Sequence, residues 1–387
     1  MKFSLELSTK IHFGDDALSK AGEESALYAG SGPVMVLTGS GSVHQNGVFQ
    51  RIAESMEEAA VPFFEFPGVE PNPRVEHIRR AIDQCRKERV ELVFAVGGGS
   101  CIDAAKAIAA GVGYDGDVWE LFTTPAQAPT ALKVASALTL SATGSEYNMG
   151  TVITNLETKR KLPYLDEKLR PVFSLLDPWA TRTVPPHQSA AGVADIFSHL
   201  LEQYFSPTVA PVQDRIAEAL MTICRDEGPI TVHQGDDLEA RGNIMLASSL
   251  ALCGLTGAGK VHDWATHLIE HELSAHFDLT HGVGLAILTP AWMEEVLDDR
   301  AVHRFVRYGH IMWGLPENGG LNVATEAIAR TRAFFTSLGL PSTLSEVGIG
   351  QDLFYQMAHD AVAHFGALGG FRKLGAPDIG RILHRAS

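Results

Sequence analysis

The 387-residue sequence predicts a two-part fold: an α/β part over residues 1–180, with a mostly parallel sheet and helices on both faces, and an all-α part over residues 181–387. Three observations predict it. Short apolar runs alternate with stretches at helical spacing through the first half. After Pro178, and from about Val184 onward, long Ala/Leu-rich stretches replace the β-branched runs. The length exceeds what one ordinary core serves, and DPWATRTVPP (177–186) reads as the join.

In chain order, KFSLELS (2–8) alternates polar and apolar residues as a strand does. VMVLTG (34–39) reads as a buried strand, followed by a Gly/Ser turn and an amphipathic helix around Val48–Ala59. FFEF (63–66) precedes the break GVEPNP, and a helix follows around Val75–Lys87. ELVFAV (91–96) runs into GGGS and a helix through Ala110. Further β-type runs are LKVASALTL, GTVITN and PVFSLLD. Strands separated by helices of this length make βαβ units, hence a mostly parallel sheet. No internal repeat or low-complexity segment is apparent.

Composition bounds the function. With 45% hydrophobic and 20% charged residues the chain reads as soluble and globular. A net charge of −15 argues against a nucleic-acid partner, because phosphate binding needs a basic face. An anionic ligand must therefore be held locally, by backbone N–H groups or a few lysines. The four cysteines, Cys85, Cys101, Cys224 and Cys253, show no CxxC spacing and are expected as free thiols. No apolar run approaches the ~18 residues of a membrane span. The N-terminal stretch has no signal-peptide core, so a cytoplasmic protein without membrane contact is expected.

VELVFAVGGGSCIDAAKAIAA places three glycines between a strand and a helix. Glycine lets backbone approach a ligand closely, and the helix start aims unpaired N–H groups at it. That suits a pyrophosphate, although the string is neither of the two common nucleotide fingerprints. Asp103 repels a phosphate, which leaves it three roles: facing a ribose, facing the reacting centre, or capping the helix. The turn TGSGS (38–42) carries Gly39 and Ser40 where NAD-preferring folds often place a carboxylate for the adenosine ribose. The room, the backbone donors and the hydroxyl favour a 2′-phosphate, hence NADP(H).

HDWATHLIEHELSAHFDLTH (262–281) packs five histidines into one stretch. HDWATHLIEHEL reads as helix with His267 and His271 on one face, and a bend over Phe277–Thr280 returns His281 toward it. Upstream, GVADIFSHLLEQYF (192–205) sets Asp195 and His199 four apart on a helical pattern. One pair alone is a polar helix face; with two imidazoles from the cluster it completes a four-ligand site. Three nitrogens and one oxygen suit Zn²⁺ or Fe²⁺ rather than Mg²⁺ or Ca²⁺. Spacing does not say which histidines bind, but His262 and His276 lie off the 267/271 face and read as structural or exposed.

Taken together, GVEPNP, GGGSCIDAAK, ATGSEYNMG, LDPWATRTVPP, GVADIFSHLLEQY and DWATHLIEHEL…THGVGLAILTP resemble the iron-containing (group III) alcohol dehydrogenases. Within that family the resemblance is to the branch of NADPH-dependent aldehyde reductases and butanol dehydrogenases. It implies a dinucleotide-binding α/β domain followed by a helical metal-binding domain. It also implies that Asp195, His199, His267 and His281 are the ligands of one divalent metal per chain, Fe²⁺ or Zn²⁺. His271 then resembles the family's non-ligand histidine near the nicotinamide, a candidate proton carrier. Gly98, Gly99 and Ser100 resemble the pyrophosphate loop, Gly39 and Ser40 the turn of the NADP-using branch. Asn72, Asp103, Thr139, Thr143, Asn148 and Lys161 stand at positions of further cofactor contacts. The implied reaction is hydride transfer between NADPH and a short-to-medium-chain aldehyde, with the metal polarising the carbonyl. A homodimer is implied too, and KFSLELS could pair across it. Competing readings are a glycerol-dehydrogenase-like or dehydroquinate-synthase-like enzyme, or a non-enzymatic metal-binding protein.

Overall fold

A computed structural model describes residues 2–387. Glu6–Val184 and Gly235–Ser249 form one compact unit; Pro185–Gln234, Leu250–Ser387 and the stretch ending at Leu5 form the other.

The first unit contains eight strands: β1 (Lys10–Phe13), β2 (Val34–Thr38), β3 (Phe63–Phe66), β4 (Leu92–Gly97), β5 (Lys133–Leu138), β6 (Gly150–Asn155), β7 (Arg160–Leu165) and β8 (Phe173–Leu176). Six make one sheet in the order β1-β8-β5-β4-β2-β3, with every pairing parallel. β2, β4 and β8 are buried along their whole length, and β5 beyond its first residue. The cause is cover on both faces. Val48, Ile52 and Met56 of the Val48–Glu58 helix share a core with Val34, Val36, Phe94 and Val96. On the opposite face Cys85, from the Val75–Glu88 helix, meets Met35 at 3.6 Å. The rings of Phe94 and Phe173 cross edge to face at 5.5 Å.

Two details depart from the sequence reading. GTVITN does form a strand, but it pairs antiparallel with Arg160–Leu165 in a separate two-stranded sheet. Gly235–Ser249 lies beyond the expected boundary at 180, yet it belongs to the first unit. Gly242 packs close to Phe13 and Pro178 there, and Ser249 donates to the buried Glu146 at 2.5 Å.

The second unit is built of helices, among them Pro186–Tyr204, Pro211–His233, Ala265–Phe277, His281–Val296, Val302–Trp313, Gly320–Ser337, Phe354–Phe365 and Ala376–Arg385. Pro186–Tyr204 is buried without interruption from Ser189 to Tyr204, so it runs through the core rather than along a surface. Phe205, just past its end, seats its ring against Trp292, Phe305 and Tyr308 at 4.6–5.7 Å. Trp292 is therefore core packing. No described helix is long and apolar enough to cross a membrane, and all four cysteines are free and buried.

Candidate metal and cofactor sites

Three backbone features of the second unit assemble a cluster of polar groups. Asp195 and His199 are one turn apart on the buried Pro186–Tyr204 helix, both at 5% exposure or less. The Ala265–Phe277 helix carries His267 and His271. It starts at Ala265, later than the expected helix over HDWATHLIEHEL, because Trp264 adopts a left-handed φ of 61°. The Asp263 carboxylate accepts from the Ala265 N–H there. His281 opens the His281–Val296 helix, after the break at Asp278–Thr280. That helix comes very near the first one: a Cβ on Gly282 would lie 2.0 Å from the Ala191 carbonyl oxygen. Any other residue there would push His281 away from Asp195.

Asp195 Oδ1 is the common point. It lies 3.6 Å from His199 Nδ1, 3.7 Å from His267 Nε2 and 3.8 Å from His281 Nε2. Asp195, His267 and His281 place donor atoms within 4.8 Å of one another, with His199 added at Asp195, and ligands about 2.1 Å from a tetrahedral metal are roughly 3.4 Å apart, so the set is more open than a bound ion needs. Asp195 Oδ1, His199 Nδ1 and His267 Nε2 are buried and form no hydrogen bond. Orphaned buried polar atoms are costly, and a divalent cation satisfies all of these together. The residues present fit such a metal.

Two carboxylates hold the imidazoles from behind. Glu202, fully buried, accepts from His267 Nδ1 and from the Thr266 N–H. Glu270, also fully buried, accepts from His281 Nδ1 and from Ser274 Oγ. In each ring this leaves Nε2 toward Asp195, the arrangement that fixes tautomer and orientation in metal sites. Neither glutamate was singled out from the sequence. Their signal was available: Glu202 lies three residues after His199 and Glu270 three after His267, close to the same helix faces.

The electrostatics follow from burial and crowding. Burial pushes the Asp195 carboxyl up, but the surrounding imidazoles outweigh it and hold it below the usual carboxylate range. Burial lowers His199 to about 4, assisted by His267 and His281. Burial also lowers His267, but Glu202 and Asp195 prevail and raise it to about 9.

His271 is buried, with its ring 5.8 Å from that of His281. Glu270, His271 and His281 offer a second triplet of donor atoms within 4.8 Å of one another. Glu270 already engages His281 Nδ1 and Ser274, so the Asp195 set is the better cation cradle. His262 is tied to the Gly257 carbonyl oxygen and accepts from Trp264 Nε1. The Trp264 ring stands edge-on to His267 at 5.2 Å, which walls the cluster on that side.

In the first unit, Gly39 and Ser40 follow β2, Asn72 follows β3, Gly98–Ser100 follow β4, and Thr139, Thr143 and Asn148 follow β5. All lie beyond the carboxyl ends of parallel strands. β2 and β4 flank the point where the strand order reverses, the usual ligand position in such sheets. Gly99 opens the Gly99–Val112 helix, and a Cβ on it would sit 2.4 Å from Thr143 Oγ1, so glycine is needed for the two loops to meet.

Three of the expected cofactor contacts are engaged within the protein. Asp103 accepts from Ser145 Oγ at 2.6 Å and from the Val152 N–H at 3.0 Å. It does not cap the helix, and it keeps part of its surface exposed. Asn148 donates to the Gly144 carbonyl and accepts from the Gly150 N–H and Lys106. Lys161 is buried on β7. Lys106, fully buried, went unnoticed in the sequence; its ammonium donates to Ser145, Asn148 and Gly150. Burial pulls it to about 7 against the pull of Asp103 and Glu146. This network shapes the 144–150 loop.

A carboxylate does stand beside the first turn, though not on β2. Glu65, from β3, accepts from Thr38 Oγ1 at 2.5 Å and meets His44 Nε2 at 2.7 Å.

Residues 8–178 match the iron-containing alcohol dehydrogenase family, and residues 189–387 match the C-terminal domain of the same family. The chain belongs to the iron-containing alcohol dehydrogenases. It is 47% identical, over the whole of both chains, to NADH-dependent butanol dehydrogenase A of Clostridium acetobutylicum. It is 37% identical to the NADPH-dependent aldehyde reductase of Escherichia coli, over 90% of this chain and 89% of that one. The crystal structure of NADH-dependent butanol dehydrogenase A from Thermotoga maritima superposes with a TM-score of 0.96 at 34% identity, covering 100% of this chain and 98% of that one. The α/β unit and the helical unit are thus the fold of this family, and the protein is an oxidoreductase of the alcohol dehydrogenase type.

Proposed function

We propose that the protein is a metal- and nicotinamide-dependent reductase of short-to-medium-chain aldehydes, able to run in reverse on the primary alcohols. The observation that carries the reading is the set of orphaned, buried donor atoms on Asp195, His199 and His267, with His281 3.8 Å from the same carboxylate oxygen. These four residues would hold one Fe²⁺ or Zn²⁺. Such an ion supplies Lewis acidity toward a carbonyl oxygen.

The chain's own groups do the rest. Gly98, Gly99 and Ser100 present a helix start to a pyrophosphate, which needs no basic surface. Thr139, Thr143 and Asn72 line the same strand ends, while Asp103, Lys106 and Asn148 hold the neighbouring loop in shape. Glu202 and Glu270 keep His267 and His281 oriented. His271 donates the proton that the product oxygen takes up, directly or through water. The hydride belongs to the cofactor, and the protein supplies orientation.

For the cofactor, Gly39 and Ser40 support NADP(H), as the sequence suggested. Two observations favour NADH instead. The Glu65 carboxylate, tied to Thr38 and His44, adds negative charge beside the turn where a 2′-phosphate would sit. The relatives at 47% and 44% identity are named NADH-dependent. NADH is therefore the reading we adopt, with NADPH as the second.

A homodimer in the cytoplasm completes the reading. KFSLELS forms no strand within the chain and exposes Phe3, Leu5 and Leu7, and β1 is an edge strand of its sheet. Alternating apolar residues on a stretch outside any strand suit pairing with a second copy.

Absorbance of the reduced cofactor, followed with butanal and with or without a chelator, tests the function. Butanal-dependent consumption that the chelator abolishes is expected. A flat trace across short aldehydes would overturn the reading.

A further inference from the structure

The Ala265–Phe277 helix carries a second constellation of metal-binding side chains on its other side. At 100° per residue, Glu272 and His276 point roughly 140–180° away from His267. Glu272 is buried and His276 half-buried. The Phe354–Phe365 helix packs against this face and presents Asp360 and His364, also four residues apart.

Donor atoms of Glu272, His276 and Asp360 all lie within 4.8 Å of one another. His364 stands beside this triplet rather than within it: its Nδ1 lies 2.9 Å from Glu272 Oε1, and as a fourth donor it would have to swing toward His276 and Asp360. Two residues at i and i+4 on each of two neighbouring helices is a spacing that lets four side chains converge. Two imidazoles and two carboxylates are the donor set of Zn²⁺ and of similar divalent ions, and a poor one for Mg²⁺ or Ca²⁺.

We propose that Glu272, His276, Asp360 and His364 form a second binding site for a zinc-like divalent cation, distinct from the Asp195 cluster. Glu272 and His276 lie five and nine residues after His267, about 7.5 and 13.5 Å further along the helix. A cation here ties the ligand-bearing helix to Phe354–Phe365 and steadies the helix from the side away from Asp195. With three of its four side chains partly exposed, the site exchanges its ion with solvent more readily than the buried cluster does.

Equilibrium dialysis of the full chain against Zn²⁺ tests this. Wild type should bind a second equivalent per chain beyond the first site, and added Zn²⁺ should raise Tm. The variant combining His276→Ala and Asp360→Asn should lose that equivalent and the extra Tm rise while keeping the first. Asp195→Asn should keep the second equivalent, which separates the two sites. Retention of the second equivalent in the His276→Ala/Asp360→Asn protein, or its absence from wild type, would overturn the proposal. His364→Ala provides the same comparison should the double variant fail to fold.

Discussion

The Glu202 carboxylate sits on Nδ1 of His267 and leaves Nε2 of that ring 3.7 Å from Asp195 Oδ1. One buried glutamate thereby chooses which nitrogen of the histidine faces the cluster. Replacing it with the isosteric amide should keep the fold and the Thr266 contact but weaken the pull on the ring. Glu202→Gln is expected to lose roughly 10–100-fold in metal affinity, the usual effect of removing such a partner. Competition with a chromophoric chelator measures it. An unchanged affinity would show that the pair is only structural.

His267 and His271 lie one turn apart and are assigned different work. His267→Ala should lose metal and activity together. His271→Ala should hold its metal and lose roughly 10²–10⁴-fold in kcat, the range for a general acid. Metal analysis alongside kcat distinguishes them. Loss of metal from His271→Ala would place that residue among the ligands, in the Glu270–His271–His281 triplet.

The pH dependence of metal binding follows from the same ring. In the metal-free protein His267 is raised to about 9, so at neutral pH it carries a proton that a cation must displace. His199, lowered to about 4, is already neutral there. Apparent affinity should therefore rise about tenfold per pH unit between pH ~6.5 and ~8.5 and level off above ~9, as expected for one displaced proton. Chelator competition at several pH values checks the slope. A flat profile would mean that Glu202 does not keep the ring protonated.

Cofactor choice turns on charge around Thr38. Glu65→Gln removes the carboxylate beside the turn and should shift the NADPH/NADH ratio of kcat/KM upward by roughly tenfold, about 1.4 kcal/mol of relieved repulsion. Gly39→Asp should shift it the other way. A Cβ at Gly39 meets only ordinary contacts, Val69 O at 3.4 Å and Cys101 Sγ at 3.8 Å, so the variant should fold. Ratios that respond to neither change would remove the turn from the account.

These residues also mark how far the sequence could be read. β2, β4, β5 and β8 were legible because strands buried on both faces become unbroken apolar runs. β1 was not: as an edge strand of four residues it keeps only part of its surface buried and carries no such run. β7, RKLPYL, hid behind a proline and two cations, which a strand at the edge of a two-stranded ribbon tolerates. Gly235–Ser249 looked like any other C-terminal helix; its attachment to the first unit depends on Glu146 and Pro178, contacts that no local pattern encodes.

At the metal cluster, spacing supplied the helix faces, and the choice of ligands came from the family resemblance. Spacing could flag Glu202 and Glu270 as near the ligand faces, but that Glu202 serves His267 and Glu270 serves His281 depends on how the helices meet. Asp103 and Asn148 show the converse. Their positions suggested ligand contacts, and no local pattern showed that the same side chains also bond Ser145, Gly150 and Lys106.

The central claim is that Asp195, His199, His267 and His281 hold the ion on which aldehyde reduction depends. Anaerobic back-titration of chelated protein with Fe²⁺ or Zn²⁺, following butanal-dependent oxidation of NADH at each step, tests it most directly. The rate should start near zero, rise in proportion to the metal added and saturate at one tightly held equivalent per chain. Full activity in protein shown to hold no metal would contradict it.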